Sequence, residues 1–364
     1  CLLMSSVNNL VNGADTAWLL ISGALVLFMT PGLALFYGGM VRAKSTLNIM
    51  MMSFSAIGVT TIIWVLYGYS ISFGKDVAGI IGDLSHLGLG NTLDATVGGE
   101  GHQVPTLAFA MFQLTFAIIT IALLSGTIAD RVKFSSWLVF VAAWVTLVYS
   151  PIAHWVFGGG WIMTKIGALD FAGGTVVEIN SGASALALAL VIGKRIGFKR
   201  DQMRPHNLPL VLLGAGILWF GWFGFNGGSA LTSGALASTA LINTQIAASA
   251  AAMTWLLTEK IRDGKATTLG IASGAVAGMV AITPACGFVN PLGALIIGLI
   301  SGALSAWAVA LKYKFNYDDS LDVVGVHGVS GLFGMLAIGI LGTTTANAMG
   351  ADGLFMNGGT ALLE

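Results

Sequence analysis

The chain has 364 residues, of which 56% are hydrophobic and only 9% are charged. About a quarter of the residues of a soluble globular protein are charged, so the composition excludes an ordinary soluble domain. Sixteen basic and sixteen acidic residues cancel, which removes the basic excess of a nucleic-acid-binding protein. The two cysteines, Cys1 and Cys286, have no metal-ligand spacing, and we expect neither a metal nor a cofactor. Abundant glycine, 50 residues, predicts a membrane protein with closely packed helices.

Ten apolar stretches follow one another along the chain, and a bilayer-spanning helix needs about 20 such residues. They cover residues 16–41, 47–73, 107–128, 134–157, 172–193, 208–226, 236–258, 266–283, 291–311 and 323–346. The eighth is short and ends at Pro284. The pattern predicts an all-α polytopic membrane protein, with residues 1–364 in a single membrane domain. We expect an eleventh span and a cytoplasmic C-terminus to follow Glu364.

The basic residues indicate the orientation of these spans. Lys75 and Lys165 lie in even-numbered connections, and the other fourteen basic residues lie in or beside odd-numbered ones. Cytoplasmic loops carry the excess of Lys and Arg. The odd-numbered connections are therefore predicted to face the cytoplasm, and the N-terminus to lie outside. The chain is predicted to be a multi-pass protein of the cell membrane, with the lipid bilayer as its surroundings.

Two pairs of segments suggest internal symmetry. Residues 177–182 and 326–331 share the pattern V-(E/H)-x-x-S-G, and residues 36–39 and 225–228 share a Phe and two glycines. Both pairs are five spans apart, an odd number, so the two halves would have opposite orientations. The pattern predicts inverted five-helix repeats over about 16–193 and 208–346, an arrangement typical of transport proteins.

Two titratable side chains, Glu178 and His327, lie well inside apolar spans at equivalent points of this symmetry. Each should face the interior of the bundle and a partner, because burial in lipid is costly. We therefore expect them to meet and to relay protons or orient an ion; the alternative is an ion pair that only pins two helices. Asp170 and Asp322 precede the same two spans, and each is a candidate N-cap of its helix. Asp170 is also a candidate for shaping a cation-attracting outer mouth.

Several aromatic residues lie near the outer ends of spans, where a ring face can attract a small cation. They are Phe116, Phe157, Trp222 and Phe225. Without further information, the simplest interpretation is that these rings pack against neighbouring helices.

Six short motifs together resemble the Amt/Mep/Rh ammonium transporter family. They are residues 28–32 (FMTPG), 36–39 (FYGG), 170–177 (DFAGGTVV), 205–209 (PHNLP), 222–226 (WFGFN) and 325–328 (GVHG). The match is colinear over about 15–346, and the motifs in combination are highly specific.

The resemblance implies a homotrimer of eleven-helix protomers, each with its own pore. It implies an outer ammonium site at Phe116, Phe157 and Ser229, with Asp170 beside it, and a gate of two stacked rings, Phe116 and Phe225. It places a pair of pore-lining residues at 178 and 327, with Trp222 and Thr283 near the pore. In bacterial members a PII-type regulatory protein meets the inner loops and the tail.

Two positions depart from the family pattern. Phe157 stands where the family usually has Trp, and a benzene ring binds cations more weakly than an indole. Glu178 stands where the first pore histidine is expected, as in one fungal branch of the family. An ionised carboxylate holds a cation, whereas conduction requires binding weak enough for release.

The leading prediction is transport of ammonium or ammonia through a hydrophobic pore with a Glu–His pair. The alternative is an ammonium sensor, in which a weakly conducting domain signals to a fused cytoplasmic domain. An enzyme is the weakest interpretation, because no catalytic triad, metalloprotease motif or nucleotide loop is present.

Overall fold

The computed structural model describes residues 10–363. Within those residues nine helices are long and apolar enough to cross a membrane, and one further apolar helix is shorter. In chain order they are α1 (Gly13–Met40), α2 (Ala43–Phe73), α3 (Thr106–Ile128), α4 (Phe134–Ile166), α5 (Gly174–Ile192), α6 (Leu208–Gly228), α7 (Ala235–Asp263), α8 (Thr268–Ile282, the shorter one), α9 (Pro291–Phe315) and α10 (Val324–Leu341).

These helices confirm the predicted helical polytopic fold in the described part of the chain. The count of ten full spans stays a prediction, because α8 has only 15 residues. The regular helix of α4 ends at Phe157, as predicted, and after the non-helical Gly158–Gly160 a π-helical turn extends the apolar segment to Ile166. Helix α7 continues to Asp263 rather than ending at 258, and α10 ends at Leu341 rather than at 346. We call the end of the bundle at which α1 begins, predicted to face outside, the outer end.

Several helices are not regular α-helix along their whole length. π-Helical segments occur at Trp64–Gly68 in α2, Val145–Tyr149 and Ile162–Ile166 in α4, Gly174–Ile179 at the start of α5 and Val324–Gly328 at the start of α10. Such segments are rare and are often found at functional sites. Glu178 and His327 each lie in one of them.

Glycines allow the helices to approach closely. A Cβ added to Gly39 of α1 would lie 2.9 Å from the backbone nitrogen of Val211 in α6, and one added to Gly221 of α6 would lie 2.7 Å from the carbonyl oxygen of Leu25 in α1. The pair α7 and α8 meets in the same way, at Gly274. Small residues at helix contacts are the usual means of packing in membranes, where no hydrophobic effect drives helices together.

The long connection between α2 and α3 forms a cap at the outer end. It contains two antiparallel ribbons, β1 (Asp76–Val77) with β2 (Ile81–Gly82) and β3 (Thr96–Val97) with β4 (Val104–Pro105). The fully buried His154 of α4 contacts Asp76 through Nε2 at 2.9 Å, and His102 Nδ1 lies 2.8 Å from the Asp15 carboxylate. These contacts give both histidines structural roles, and His102 stays at the surface as its loop position suggests.

The inner end is held by a cluster of charges from three connections. Asp318, whose side chain is fully buried, accepts hydrogen bonds from the guanidinium of Arg195 at 2.9 Å and 2.8 Å and from its backbone N–H at 2.7 Å. Arg131 donates to the Asp318 carbonyl at 2.7 Å. The cluster ties the α3–α4, α5–α6 and α9–α10 connections together.

Candidate pore

Two phenylalanine rings close the outer part of the bundle. Phe116 of α3 and Phe225 of α6 have ring centroids 4.2 Å apart and planes tilted by 30°, and each side chain is 1% exposed. Phe112, one turn from Phe116, contacts it edge to face with a centroid distance of 4.8 Å. The rings leave no polar group in the contact, so they form an apolar plug.

A buried hydrogen-bonded chain holds the inner side of this plug. The indole N–H of Trp222 donates to Thr283 Oγ1 at 2.8 Å, and that hydroxyl lies 3.2 Å from Asn226 Oδ1. Asn226 also donates to Thr244 at 2.8 Å. The chain joins α6 to α7 and to the end of α8, and Trp222 in turn packs on Phe225 with a centroid distance of 5.4 Å. Buried and satisfied polar networks of this kind rigidify their surroundings.

Glu178 and His327 meet in the interior. His327 Nδ1 lies 2.7 Å from Glu178 Oε2, and both side chains are buried. The approach is possible because α5 and α10 cross at glycines: a Cβ on Gly182 would overlap Gly328, and one on Gly331 would lie 2.7 Å from Glu178 Cβ. Each π-helical segment contacts the regular part of the other helix. The predicted meeting of Glu178 and His327 is thus present in the structure.

A narrow cavity connects the plug to this pair. Its wall includes Phe225 and Trp222, then the apolar side chains Leu33, Ile119 and Val276, and finally Glu178 and His327. The volume open to the centre of a water-sized sphere is about 10 Å³, close to the minimum that holds one water molecule. Glu178 Oε1 has no hydrogen-bond partner in the protein. A small molecule with an N–H or O–H donor therefore has one acceptor available in an otherwise apolar space.

An acidic residue caps each of the two π-helical segments. The carboxylate of Asp170 accepts from the backbone N–H groups of Gly173, Gly174 and Thr175 at 2.8, 2.7 and 2.7 Å, so the predicted cap is present at α5. At α10 the prediction of Asp322 was wrong. The N–H of Val324 donates to Asp319 at 2.7 Å, because Asp322, with a φ of 64°, turns toward Lys312 instead.

The remaining outer-site residues lie at helix ends. Phe157 closes the Ser150–Phe157 helix, which contacts the Gly174–Ile179 segment, and its ring is partly exposed. Ser229 follows α6 directly, and its hydroxyl donates to the carbonyl of Phe225 at 2.8 Å, which leaves its oxygen lone pairs as acceptors. Trp155 and Trp161 contact each other with centroids 5.8 Å apart and planes tilted by 54°.

Sequence reasoning missed the roles of three residues near the candidate pore. Asn226 and Thr244 complete the Trp222–Thr283 chain. Asn226 ends the motif at residues 222–226, but the motif by itself assigns it no role, and nothing in the spacing of Thr244 distinguishes it from other polar residues in apolar helices. The spacing of the acidic residues could have indicated Asp319 as the cap of α10. Asp319 precedes His327 by eight positions, as Asp170 precedes Glu178 by eight.

The apolar helices enclose a narrow cavity, and the cavity ends at a buried acid–base pair. These features define a polytopic helical membrane protein with an internal polar site. The model of the Ammonium Transporter Family matches residues 17–364, and the chain belongs to that family. It is 54% identical over 380 residues to an ammonium transporter of Mycobacterium tuberculosis, covering 97% of this chain and 80% of that protein. Ammonium transporter Amt1 of Archaeoglobus fulgidus is 48% identical over 337 residues, with coverage of 93% and 83%.

Solved structures with the same fold include a Mep2 protein and a sensor Amt protein. Mep2 of Candida albicans superposes with a TM-score of 0.90 at 34% identity, over 98% of this chain and 81% of that one. A protein described as a sensor Amt protein superposes with a TM-score of 0.87 at 28% identity, over 98% and 89%. The family resemblance and the polytopic membrane fold are confirmed.

Proposed function

We propose that this protein transports ammonium across the cell membrane, through a pore that runs past the Phe116–Phe225 stack to the Glu178–His327 pair. The observation that carries the proposal is the buried 2.7 Å contact between Glu178 and His327 at the base of the narrow cavity. An intramembrane acid–base pair is costly unless it serves a substrate path or a proton relay. Relatives whose sequences are 54% and 48% identical to this chain are named as ammonium transporters.

Ammonium is captured first at the outer end. The rings of Phe116 and Phe157 offer π faces to the cation, and the Ser229 hydroxyl offers an acceptor. Asp170 acts indirectly: its carboxylate is engaged by three backbone N–H groups. It therefore holds the start of α5, and with it Glu178, rather than coordinating the substrate.

The plug and the cavity below it then select the substrate. Movement of two rings admits a particle the size of one water molecule and excludes a hydrated ion. In this low-dielectric space the free Oε1 of Glu178 accepts an N–H, a bond that potassium cannot make. The Glu178–His327 hydrogen bond provides both a proton acceptor and a proton-bearing partner, so the pair can take up or return a proton as the substrate passes.

The same proposal includes the assembly and setting. We expect a homotrimer, each protomer with its own pore, in the cell membrane with the N-terminus outside. The inner loops are the expected contact for a PII-type regulatory protein, or for a fused signalling domain. Inverted repeats remain part of the proposal. The equal offsets of Asp170 and Asp319 from the pore pair support them.

The deciding experiment records ammonium-evoked current and ammonium binding on the same proteoliposomes, which hold the complete natural chain. A sustained, saturable current is expected in the parent protein. It should be lost in His327→Leu and reduced in Glu178→Gln, which removes the negative charge but keeps the shape. His86→Leu in the outer cap is the matched control and should retain the parent current.

An ammonium sensor is the second candidate, favoured by the 0.87 TM-score match to a sensor Amt protein and by the changed residues at 157 and 178. In that case the same proteoliposomes would show saturable binding with only a brief charge displacement. That outcome would contradict transport.

A further inference from the structure

The ammonium group of Lys312, near the inner end of α9, is held by three different groups. Nζ lies 2.6 Å from Asp322 Oδ1 and donates to the carbonyl oxygen of Asp319 at 3.1 Å. It also lies 5.4 Å from the centroid of the Tyr313 ring. The Lys312 side chain is only 8% exposed. A primary ammonium is therefore enclosed near the inner mouth by a carboxylate, a carbonyl and an aromatic face.

Each of these three groups can bind a small cation that carries N–H donors. A carboxylate supplies a charge-assisted hydrogen bond, a carbonyl accepts a second N–H, and a ring face attracts the positive charge. Asp322 reaches this position with a φ of 64°, which is unusual for a residue other than glycine. Strained residues of this kind persist only where the surroundings hold them, and they often occur at ligand sites.

The site lies at the inner end of the proposed pore. Lys312 and Asp322 line a larger cavity of about 510 Å³ together with Met40 of α1. The narrow pore cavity is lined by Phe36 of the same helix and by His327. Phe36 precedes Met40 by one helical turn, and Asp322 precedes His327 by five residues. The two cavities therefore follow one another along the same two segments of chain.

We propose that Asp322, the Asp319 carbonyl and Tyr313 form a second binding site for ammonium-type cations, which the side chain of Lys312 occupies as a tethered substitute. The tether makes the two ends of the pore unequal. Free ammonium finds an open acceptor set at the outer end, but at the inner end the acceptor set is already filled and neutralised. The existence of the site does not depend on conduction, whereas its effect on the direction of permeation rests on the proposed function.

The site itself is tested by thermal stability in detergent. Lys312→Met leaves the acceptor set empty, and Lys312→Arg keeps a tethered cation. The melting temperature of Lys312→Met is expected to rise by several degrees with millimolar to molar methylammonium chloride, because a ligand of the folded state stabilises it. Choline chloride at equal ionic strength should have no such effect. Neither Lys312→Arg nor the double variant Lys312→Met/Asp322→Asn should respond.

If loss of the ion pair to the partly buried Asp322 carboxylate prevents Lys312→Met from folding, this outcome is also decisive. Purification of the variant in methylammonium but not in choline supports the site. The proposal is overturned if methylammonium fails to rescue the variant, or if the melting temperatures respond equally to both salts.

The effect on the pore is tested by current in proteoliposomes of known orientation. In Lys312→Met, ammonium applied from the inner side should reach half-saturation at a concentration about fivefold or more below that of the parent, with the outer-side value unchanged. Unchanged inner-side values, with parent currents present, overturn the asymmetry. If the parent conducts nothing, transport fails as the proposed function, and the stability measurements still decide whether the site exists.

Discussion

A phenylalanine occupies position 157, where the family usually has a tryptophan. Its ring is partly exposed at the end of the Ser150–Phe157 helix, so it is available to a cation arriving from outside. Phe offers a weaker π face than Trp and has no N–H donor. If the proposed outer site is correct, Phe157 makes it a weaker ammonium site than a tryptophan at this position would.

Restoring the indole is expected to strengthen outer capture. Phe157→Trp should lower the ammonium concentration at half-saturation by about threefold, the size of a modest gain in cation–π attraction, as measured by currents in proteoliposomes. Phe220→Trp, on an exposed face of α6, is the matched control and should leave the value unchanged. Unchanged or weaker half-saturation in Phe157→Trp would remove Phe157 from the capture site.

At the scale of elements, the contact between α5 and α10 positions the pore pair. Gly182 lies directly against Gly328, and Gly331 against Glu178. The π-helical segments rotate Glu178 and His327 toward each other, and Asp170 and Asp319 hold the starts of these segments. The geometry of the Glu178–His327 pair therefore depends on how α5 and α10 begin and on the glycines at which they cross.

A single methyl group at this crossing should separate the pair. Gly182→Ala places a Cβ on the backbone of Gly328, and neither backbone can yield without moving its helix, so ammonium current should fall by an order of magnitude or more. Gly216→Ala on α6 is the control, since nothing lies within 4 Å of its added Cβ. The measurement is current per reconstituted protein, with the melting temperature of each variant recorded. Parent-like current in Gly182→Ala would contradict this account of the crossing.

At the scale of the whole molecule, the inner connections are fastened by charges rather than by apolar packing. Asp318 is enclosed by Arg195 and Arg131, and Asp130 accepts hydrogen bonds from Ser45 and from Arg42 at 2.6 Å. Burial by itself would raise the pKa of both carboxyls. The hydrogen bonds and nearby arginines outweigh burial, and the pKa of each is lowered from its ordinary value.

The sign of these shifts predicts loss of stability in acid. A carboxyl whose folded pKa is lowered contributes stability above the unfolded pKa, about 4, and loses it as the pH falls through the folded value. The melting temperature in detergent should therefore be level near neutrality and fall below about pH 4.

Asp318→Asn tests the origin of this acid sensitivity. The variant should melt lower at pH 7, because two arginines lose a buried partner at a cost of about 3–5 kcal/mol. It should also show a smaller further decrease below about pH 4. Asp201→Asn, an exposed carboxyl in the same connection as Arg195, is the control. An acid-induced decrease as large as that of the parent would place the sensitivity elsewhere.

The sequence by itself determined the class of protein and predicted the candidate site residues. Long apolar runs and the bias of basic loops are local properties, so they predict helices and the membrane directly. The resemblance to the family then predicted roles for positions 116, 178, 225 and 327. The motifs do not specify distances or side-chain orientations. The prediction of Asp322 as the cap of α10 was wrong, because the positive φ of Asp322 could not be foreseen from the sequence.

The sequence predicted that Glu178 and His327 meet, but only the tertiary structure shows how their side chains are brought together. Glu178 and His327 are 149 positions apart, and their contact depends on a crossing of two helices at glycines. Nearly every residue of α3 is buried, so no polar face of that helix indicates which side borders the proposed pore. The contact between Phe116 and Phe225 was implied only by the family resemblance, and its distance and tilt come from the tertiary structure. The enclosure of Lys312 by Asp322 and the Asp319 carbonyl arises in the same way. It joins the end of one helix to the turn before the next, and no periodic pattern in the sequence records such a contact.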